Sequence, residues 1–269
     1  MNDFLRVDDA QTSGTDAPPI DGRSTVGPEV SSLDIAEAAR SAAGLPLAEG
    51  ARLLIELALT GTGWTAGALS GPGPARRPQT RASSAALADR CEQLQWTHGE
   101  GPTHDILRAG TGPEIVADLS HDQRWPRWVP SARNLGVRSV LAIGLHVDRP
   151  VGALTLYASE PVTGGAGLGL VRAVAAHLSV LVDTVDTRYH LERALDTRTR
   201  IGQAIGILMH RYRISADQSF HLLRRISQER NIKIATLATD LVDHGVIPVP
   251  PLDDPAGRNE DSRPSRLVR

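Results

Sequence analysis

Apolar residues in this chain follow two periods, and the change between them limits the folds open to it. Before about residue 168 the period switches several times between two residues and three to four residues. From Leu168 onwards the longer period continues. A period of two predicts strands and the longer period predicts helices. We therefore expect an α+β domain followed by an all-α domain.

The two ends of the chain differ in composition from the part between them. Residues 1–30 are rich in Asp, Thr, Gly, Ser and Pro, and residues 247–269 mix Pro with charged residues. Neither segment can bury enough apolar area to offset the entropy that ordering costs. We predict disordered tails over 1–30 and 247–269, an α+β domain over 31–186 and a helical domain over 187–246.

A hairpin is the best-defined strand pattern. Residues 140–147 and 151–157 are apolar runs, and the Asp148-Arg149-Pro150 segment between them favours a turn. We predict that this pair lies antiparallel at the centre of a sheet. Further strands are predicted over 64–69, 80–84 and 114–119, and helices from Ser31, over 48–59 and over 85–94.

The helix that begins at Leu168 has the spacing of a coiled-coil seam over about two heptads. The seam residues are Val171, Val174, Leu178, Leu181 and Val185. We expect this seam, beside a domain surface that also pairs, to join two copies of the chain in a homodimer. In the helical domain, the first of three helices is expected to run to about Arg211. Its buried stripe is predicted at Leu191, Leu195, Ile201, Ala204, Ile205 and Leu208.

Two more helices are expected after this one. Residues 215–218, Ser-Ala-Asp-Gln, match a capping box and predict the start of the second helix. Its apolar face is expected at Phe220, Leu223 and Ile226. The third helix contains Leu237, Leu241 and Val242 and is expected to stop at Gly245.

Composition excludes several classes of protein. Cys91 is the only cysteine, so intrachain disulfides and clustered thiolate metal sites are excluded. The longest uncharged stretch, 57–75, holds five glycines and two prolines, so we expect no membrane span. The first residues lack the pattern of an export signal, and we expect a cytoplasmic protein.

Residues 97–105 concentrate the side chains most able to carry chemistry. His98, Glu100, His104 and Asp105 are possible metal ligands or acid–base groups, but their spacing does not put two ligands one helical turn apart with a matching third. A turn followed by a helix start, capped by Thr103 and Asp105, explains the same residues. We predict no catalytic residue and no metal site, and no sequence feature identifies a cofactor.

An ordered set of motifs lies in the first domain: QWTHGEGPT at 95–103, VADL at 116–119, WP at 125–126, GVRSVL at 136–141 and GALTLYA at 152–158. The set resembles the GAF domains of actinobacterial regulators over roughly residues 31–185. This resemblance implies a central antiparallel sheet with helices on its faces and a small pocket that binds a ligand or transmits a signal. The family often carries a Cys at the position of Thr103.

Candidates for lining such a pocket are Trp96, His98, Glu100, Thr103 and Trp125. Pocket linings are mostly apolar and aromatic, so the tryptophans suit one, although core packing explains them equally well.

A second set of motifs covers the helical domain: RTRIGQAIGILM at 198–209, SADQSF at 215–220, LLRRISQ at 222–228 and NIK at 231–233. The set closely resembles the ANTAR domain over roughly residues 187–245. The resemblance implies a three-helix RNA-binding module of transcription antitermination, typically dimeric, that binds paired stem-loops in nascent transcripts. Many family members carry Lys at the position of Ile205.

Charge agrees in kind with RNA binding. Residues 187–245 hold 10 basic and 6 acidic residues, a net charge of +4, whereas residues 1–186 have a net charge of −6. Arginines on a helical face can neutralise phosphates and stack on unpaired bases, although a solvated helix surface shows many of the same charges. The RNA-binding candidates are Arg198, Arg200, Gln203, Arg224, Arg225, Gln228 and Lys233.

The two resemblances together predict a cytoplasmic, signal-responsive antitermination regulator without enzyme activity. Its expected partners are stem-loop RNA, a small-molecule or protein signal at the GAF domain, and a second copy of the chain. The alternative is a signalling scaffold whose helical bundle binds a protein partner rather than RNA. Ile205 in place of Lys favours the scaffold, whereas the order of the motifs favours RNA.

Overall fold

The computed structural model of the chain describes residues 30–73, 77–109, 114–162 and 167–245. The predicted tails over 1–30 and 247–269 lie, except for Val30, outside the described residues. The chain divides into two compact units, Met1–Leu181 and Val182–Arg269.

The first unit is an α+β domain. Its elements in chain order are α1 (Ser32–Ala43), α2 (Leu47–Leu59), β1 (Ala66–Pro72), β2 (Pro78–Ser83), α3 (Ala86–His98), α4 (Pro102–Ala109), β3 (Glu114–Val116), a 3₁₀ turn (Leu119–His121), α5 (Trp128–Asn134), β4 (Ser139–His146) and β5 (Pro150–Ala158). The five strands form one antiparallel sheet in the order β2-β1-β5-β4-β3.

The predicted hairpin is confirmed as β4 and β5, with Leu141 opposite Leu156 and His146 opposite Pro150. Strand β5 is the middle strand of the sheet. Nearly every residue of both strands is buried, because helices cover both faces of the sheet. Strands buried on both faces have continuous apolar sequences rather than alternating ones, which explains the pattern of this pair.

Strand β1 shows how the two faces are covered. Ala66 and Ala68 belong to a core cluster with residues of α3 and α5. Gly67 points to the opposite face, where a Cβ would lie 2.6 Å from the Cγ2 atom of Ile55 in α2. The glycine therefore permits the close approach of α2 to the sheet.

The predicted strand over 114–119 is shorter in the structure and ends at Val116. The side chain of Asp118 accepts a hydrogen bond from the backbone N–H of Ser120 at 2.9 Å and begins the 3₁₀ turn instead. This bond and the ion pair with Arg138 lower the pKa of Asp118 to about 2. A local side-chain cap thus outcompetes continuation of the strand.

The second unit is a three-helix bundle. Its helices are α6 (Leu168–Tyr212), which begins in the first unit, α7 (Ala216–Arg230) and α8 (Ile234–His244). Its core gathers Ala204, Leu208, Leu222, Leu223, Ile226, Leu237, Ala238 and Leu241. The predicted capping box at the start of α7 is confirmed: Ser215 and Gln218 each bond the backbone N–H of the other. Helix α8 ends at Gly245 as predicted.

Two predictions about apolar stripes are wrong. In α6, Leu191 and Leu195 are 61% and 64% exposed, because the bundle core lies further along the helix around Ala204 and Leu208. In α7, Phe220 is 39% exposed, and Leu222 is buried beside Leu223 instead.

Most residues of the predicted dimer seam lie inside the single chain rather than on its surface. Val171, Val174 and Leu178 are completely buried within the first unit of a single chain. They are therefore part of the core of that unit, and a partner helix cannot pack against them without unfolding it.

Among the described residues, α6 is the one helix long and apolar enough to cross a membrane, with a mean hydropathy of 1.6 over 18 residues. The first part of α6 supplies the buried Val171, Val174 and Leu178. Core helices of soluble domains have this same composition, so it is weak evidence for a membrane span.

Candidate functional site

A cluster of polar side chains is buried in the first unit between the sheet and α3. We call it the polar cluster, and its members are Ser70, Glu92, Gln95, Thr103, Thr155 and Tyr157. All six are completely buried. The sheet contributes three of them from β1 and β5, and α3 and α4 contribute the other three.

The carboxylate of Glu92 is the centre of the polar cluster. Its Oε2 atom accepts a hydrogen bond from Ser70 Oγ at 2.6 Å. Its Oε1 atom accepts from Tyr157 OH at 2.6 Å and from Thr103 Oγ1 at 2.8 Å. Gln95 Nε2 lies 3.2 Å from the same oxygen, and the hydroxyls of Thr103 and Thr155 are 2.6 Å apart. Four donors thus converge on one carboxylate.

Burial governs the electrostatics of the polar cluster. It raises the pKa of Glu92, although hydrogen bonds from Ser70, Tyr157 and Thr103 act in the opposite direction. It also raises the pKa of Tyr157, and the neighbouring carboxylate adds to that effect. Throughout the described ranges, every buried side-chain nitrogen or oxygen atom has a hydrogen-bond partner. The polar cluster is therefore satisfied without a ligand.

Thr103, a predicted pocket residue, lies in this polar cluster. Its backbone N–H and that of His104 donate to Gln95 Oε1 at 2.8 and 3.2 Å. Gln95 therefore caps the start of α4, and the prediction that Thr103 and Asp105 cap this helix is wrong. The carboxylate of Asp105 instead accepts a hydrogen bond from Trp125 Nε1 at 2.8 Å.

His98 and Glu100 connect α3 and the following loop to α5. Glu100 Oε1 accepts from the backbone N–H groups of Arg127 and Trp128, at 2.5 and 2.8 Å, and so caps the start of α5. Burial alone would raise the pKa of Glu100, but these bonds and the Arg127 guanidinium lower it overall. His98 Nε2 lies 3.3 Å from Ser131 Oγ.

The two tryptophans among the pocket candidates lie apart. Trp125 is 2% exposed and packs edge-on against Trp128, with ring centroids 5.7 Å apart. Trp96 is half-buried, and its Nε1 atom is 3.5 Å from Thr80 Oγ1. The five predicted pocket residues thus occupy several separate hydrogen-bonded positions.

A surface cleft of about 340 Å³ lies between α3 and α5, near His98. It is lined by Arg90, Gln93, Leu94, Thr97, Ser131, Asn134 and Leu135. In the part of the chain that the structure describes, no three His, Cys, Asp or Glu side chains come together to hold a metal ion.

The predicted RNA-binding residues of the second unit differ in their surroundings. Arg198, Gln203, Arg224, Gln228 and Lys233 are exposed. Arg200 instead forms an ion pair with Asp243 of α8, and Arg225 Nε lies 3.8 Å from Glu229 Oε1. Ile205, at the position where the family often has Lys, packs against the bundle core.

A groove of about 980 Å³ lies between α6 and α8, and we call it the α6–α8 groove. Its lining residues are Gln203, Gly206, Ile207, His210, Arg211, Arg213 and Val242. Gln203 is the one RNA-binding candidate in it. His210, Arg211 and Arg213 were not among the residues predicted from the sequence, although the spacing of 203, 206, 207 and 210 indicates one helical face.

Arg211 and Arg213 line the groove in different ways. Arg211 Nη1 donates to the carbonyl oxygen of Gly245 at 3.0 Å, so it holds the end of α8 against α6. Arg213 follows the end of α6 with φ +55°, in the left-handed region. Among the described residues, Arg213 has no ion-pair partner.

Two family models match this chain. A model of the GAF domain matches residues 44–183, which is more than half of the chain. The chain belongs to the GAF family. A model of the ANTAR domain matches residues 189–242, so the GAF domain is followed by an ANTAR domain, as the motifs predicted.

Several solved structures are similar to the GAF domain at low identity. A GAF domain of a phosphoenolpyruvate-protein phosphotransferase from Coxiella burnetii is 14% identical, with a TM-score of 0.45 over 59% of this chain and 98% of that one. A GAF domain of an Acinetobacter phosphoenolpyruvate-protein phosphotransferase is 10% identical, with a TM-score of 0.43 over 59% of this chain and 97% of that one.

A domain of a two-component sensor histidine kinase protein from Sinorhizobium meliloti is 14% identical, with a TM-score of 0.44 over 54% of this chain and 94% of that one. Among curated proteins none matches the chain. Because these TM-scores lie below 0.5, the assignment rests on the family models and on the sheet described above.

The two domains define a general kind of function. ANTAR domains belong to RNA-binding antitermination regulators, and GAF domains sense signals. Both are regulatory rather than catalytic domains, and both are typically soluble.

Proposed function

We propose that this chain is a cytoplasmic antitermination regulator. Its ANTAR domain binds stem-loop RNA in nascent transcripts, and its GAF domain receives a small-molecule or protein signal. The chain itself catalyses no reaction. The observation that carries this proposal is the set of exposed basic residues of the ANTAR domain, among them Arg198, Arg224 and Lys233, which have no ion-pair partner in the described ranges.

Unpaired basic side chains favour RNA over a protein partner for a physical reason. Each phosphate that they neutralise releases condensed counterions, which makes binding favourable and salt-dependent. Arginines already held in ion pairs within the chain contribute less, because a carboxylate offsets their charge. We therefore expect Arg198 and Arg224 to contribute more to RNA binding than Arg200 and Arg225, which are held in ion pairs.

Helix α6 supports the link between signal and RNA binding. It is continuous from Leu168 to Tyr212, and its first part is buried in the core of the first unit. Its last part supplies Ala204 and Leu208 to the bundle core. A signal that repacks the GAF domain changes the packing of α6 itself. Its effect on RNA affinity is limited by its differential affinity for the two arrangements.

We also retain the homodimer, but on a different face of α6. Residues 187–196 of α6 are all exposed in the single chain, and they include Leu191 and Leu195 one helical turn apart. Val180, which belongs to the first unit, is 58% exposed and lies on the same face of α6. Pairing of this face with its counterpart in a second copy would bury these apolar side chains.

RNA binding by the full chain across a salt series tests the proposal. We expect binding to a hairpin RNA whose logarithmic affinity falls by about 0.7 to 0.9 per phosphate contact with the logarithm of salt concentration. The double variant Arg198→Ala, Arg224→Ala should bind about tenfold more weakly and with a smaller salt slope.

The matched control is Arg40→Ala, which removes an exposed arginine of α1 and should bind RNA like the unmodified chain. If the full chain binds no hairpin RNA even at low salt while it is dimeric, the proposal is wrong. The bundle would then be a protein-interaction module.

A further inference from the structure

We infer that the α6–α8 groove holds a single unpaired nucleotide of the RNA loop, with the base in the groove and its phosphate on Arg213. This inference rests on the RNA-binding function proposed above and assigns a site to it. The groove combines three features that such a nucleotide needs: an apolar floor, a hydrogen-bonding amide and a cation that has no ion-pair partner among the described residues. Sequence-specific proteins commonly read RNA through bases that are turned out of a loop.

The floor of the groove is apolar and open. It is formed by Gly206, Ile207 and Val242. A Cβ atom built on Gly206 meets no other atom within 4 Å, so the glycine leaves room that the chain does not fill. The flat face of a base can lie against such a floor, because bases gain from apolar contact when they are unstacked.

The polar rim of the groove matches the other parts of a nucleotide. Gln203 offers both a donor and an acceptor to the edge of a base, which a charged side chain does not. Arg213, for which the described ranges hold no ion-pair partner, offers its guanidinium to the phosphate. Its backbone is left-handed, at φ +55°, which is uncommon for arginine, and the residue lines the groove.

Charge favours an anionic occupant rather than an apolar protein helix. Among the described residues, no carboxylate lines the groove. Asp243, next to the lining residue Val242, is held in an ion pair by Arg200, so its charge is offset. Arg211 and Arg213 therefore leave this end of the domain positive, which is unfavourable for a purely apolar partner and favourable for phosphate.

The test compares two RNAs bound to the full chain: a hairpin with an unpaired loop, and the same stem as a blunt duplex with no unpaired base. The ratio of the two affinities reports loop recognition, and the duplex affinity alone reports general charge attraction. We expect the unmodified chain to prefer the hairpin by at least about tenfold, because a stacked base contributes a factor of this size.

The first variant is Arg213→Gly. Glycine tolerates the positive φ, so the fold should be kept or slightly stabilised while the guanidinium is lost. We expect hairpin affinity to fall about tenfold and the hairpin-to-duplex ratio to fall with it. The matched control is Asn231→Gly, at the other non-glycine residue with positive φ, which ends α7 outside the groove and should change neither affinity. A second control, Arg230→Ala, removes an exposed charge of α7 and should leave the ratio unchanged.

The second variant is Gly206→Leu, which fills the groove without changing charge. Leucine has the higher helix propensity, so the bundle should not be destabilised. We expect loss of the hairpin preference with duplex affinity unchanged. The matched control is Gly169→Leu on the same helix within the first unit, where a Cβ also meets nothing within 4 Å.

The outcomes separate this inference from the proposed function. Hairpin binding by the unmodified chain with full hairpin preference in both Arg213→Gly and Gly206→Leu overturns the groove as a nucleotide site and leaves RNA binding intact. No hairpin binding by the unmodified chain overturns both. Loss of preference in both variants, with both glycine controls and Arg230→Ala unaffected, establishes the site.

Discussion

The interior of the GAF domain and the surface of the ANTAR domain use polar residues in opposite ways. In the polar cluster, every hydroxyl and amide group forms a hydrogen bond with the carboxylate of Glu92 or with another member of the cluster. In the α6–α8 groove, Gln203 and Arg213 are exposed, and Arg213 has no ion-pair partner among the described residues. Polar groups that satisfy one another hold a fold together, whereas unsatisfied ones are available to a partner.

Replacement of Glu92 by alanine should have the largest effect on stability. The change leaves the donors of Ser70, Thr103 and Tyr157 without their acceptor and opens a cavity in the core. We expect the free energy of unfolding of the GAF domain to fall by about 3 to 5 kcal/mol, measured by urea denaturation. A loss below about 1 kcal/mol would mean that the polar cluster reorganises around other acceptors.

The pH dependence of stability should reveal the same carboxyl group. Burial raises the pKa of Glu92 in the folded chain, so the folded state holds this proton more tightly than the unfolded state. The contribution of protonated Glu92 to the free energy of unfolding is therefore fully present below the unfolded-state pKa of about 4.3. It is lost as the pH rises through the raised pKa of the folded state.

The variant Glu92→Gln lacks this titration. Its free energy of unfolding should improve relative to that of the unmodified chain as the pH is raised from about 5 to about 8. Denaturation curves at several pH values measure this difference. A difference that does not change with pH would contradict a raised pKa at Glu92.

Substitutions on the exposed face of α6 should change dimerisation rather than stability. The double variant Leu191→Glu, Leu195→Glu changes two exposed residues, so the unfolding of the monomer should change by less than about 0.5 kcal/mol. We expect light scattering to report a monomer where the unmodified chain is a dimer, because buried like charges oppose pairing. The control Phe220→Glu changes an exposed residue of α7 and should leave the mass unchanged. Persistence of the dimer in the α6 variant would place the interface elsewhere.

A small effect on stability is also expected at Arg200. Its ion pair with Asp243 is partly exposed, and Arg200→Ala should cost less than about 1 kcal/mol. The change leaves the Asp243 carboxylate unneutralised beside the groove, so hairpin RNA should bind several-fold more weakly. Adding Asp243→Asn should restore most of that loss. If the double variant binds no better than Arg200→Ala, then Arg200 contacts RNA directly.

Local sequence patterns account for much of the fold. The β4–β5 hairpin follows from two apolar runs around a turn, and the start of α7 follows from Ser215 and Gln218. The exposure of Leu191 and Leu195 could not be predicted in this way. Both residues continue the apolar period of α6, but no helix of the bundle packs against them. Period alone identifies a helical face and does not say which element covers it.

The candidate sites were harder to predict because they depend on contacts distant in sequence. Thr103 meets Thr155 across 52 residues, and Gln95 caps a helix from outside it. The α6–α8 groove depends on the packing of α8 and on the left-handed backbone of Arg213, an uncommon conformation for that residue type. No local motif signals either arrangement.

The single cysteine has a consequence for observing the GAF domain at work. Cys91 is fully buried on α3, and burial together with the Glu92 carboxylate raises its pKa to about 12. A thiol reagent can therefore modify the native chain only when α3 opens from the sheet. The labelling rate of the natural sequence measures that opening directly, and a signal that tightens the domain would slow it.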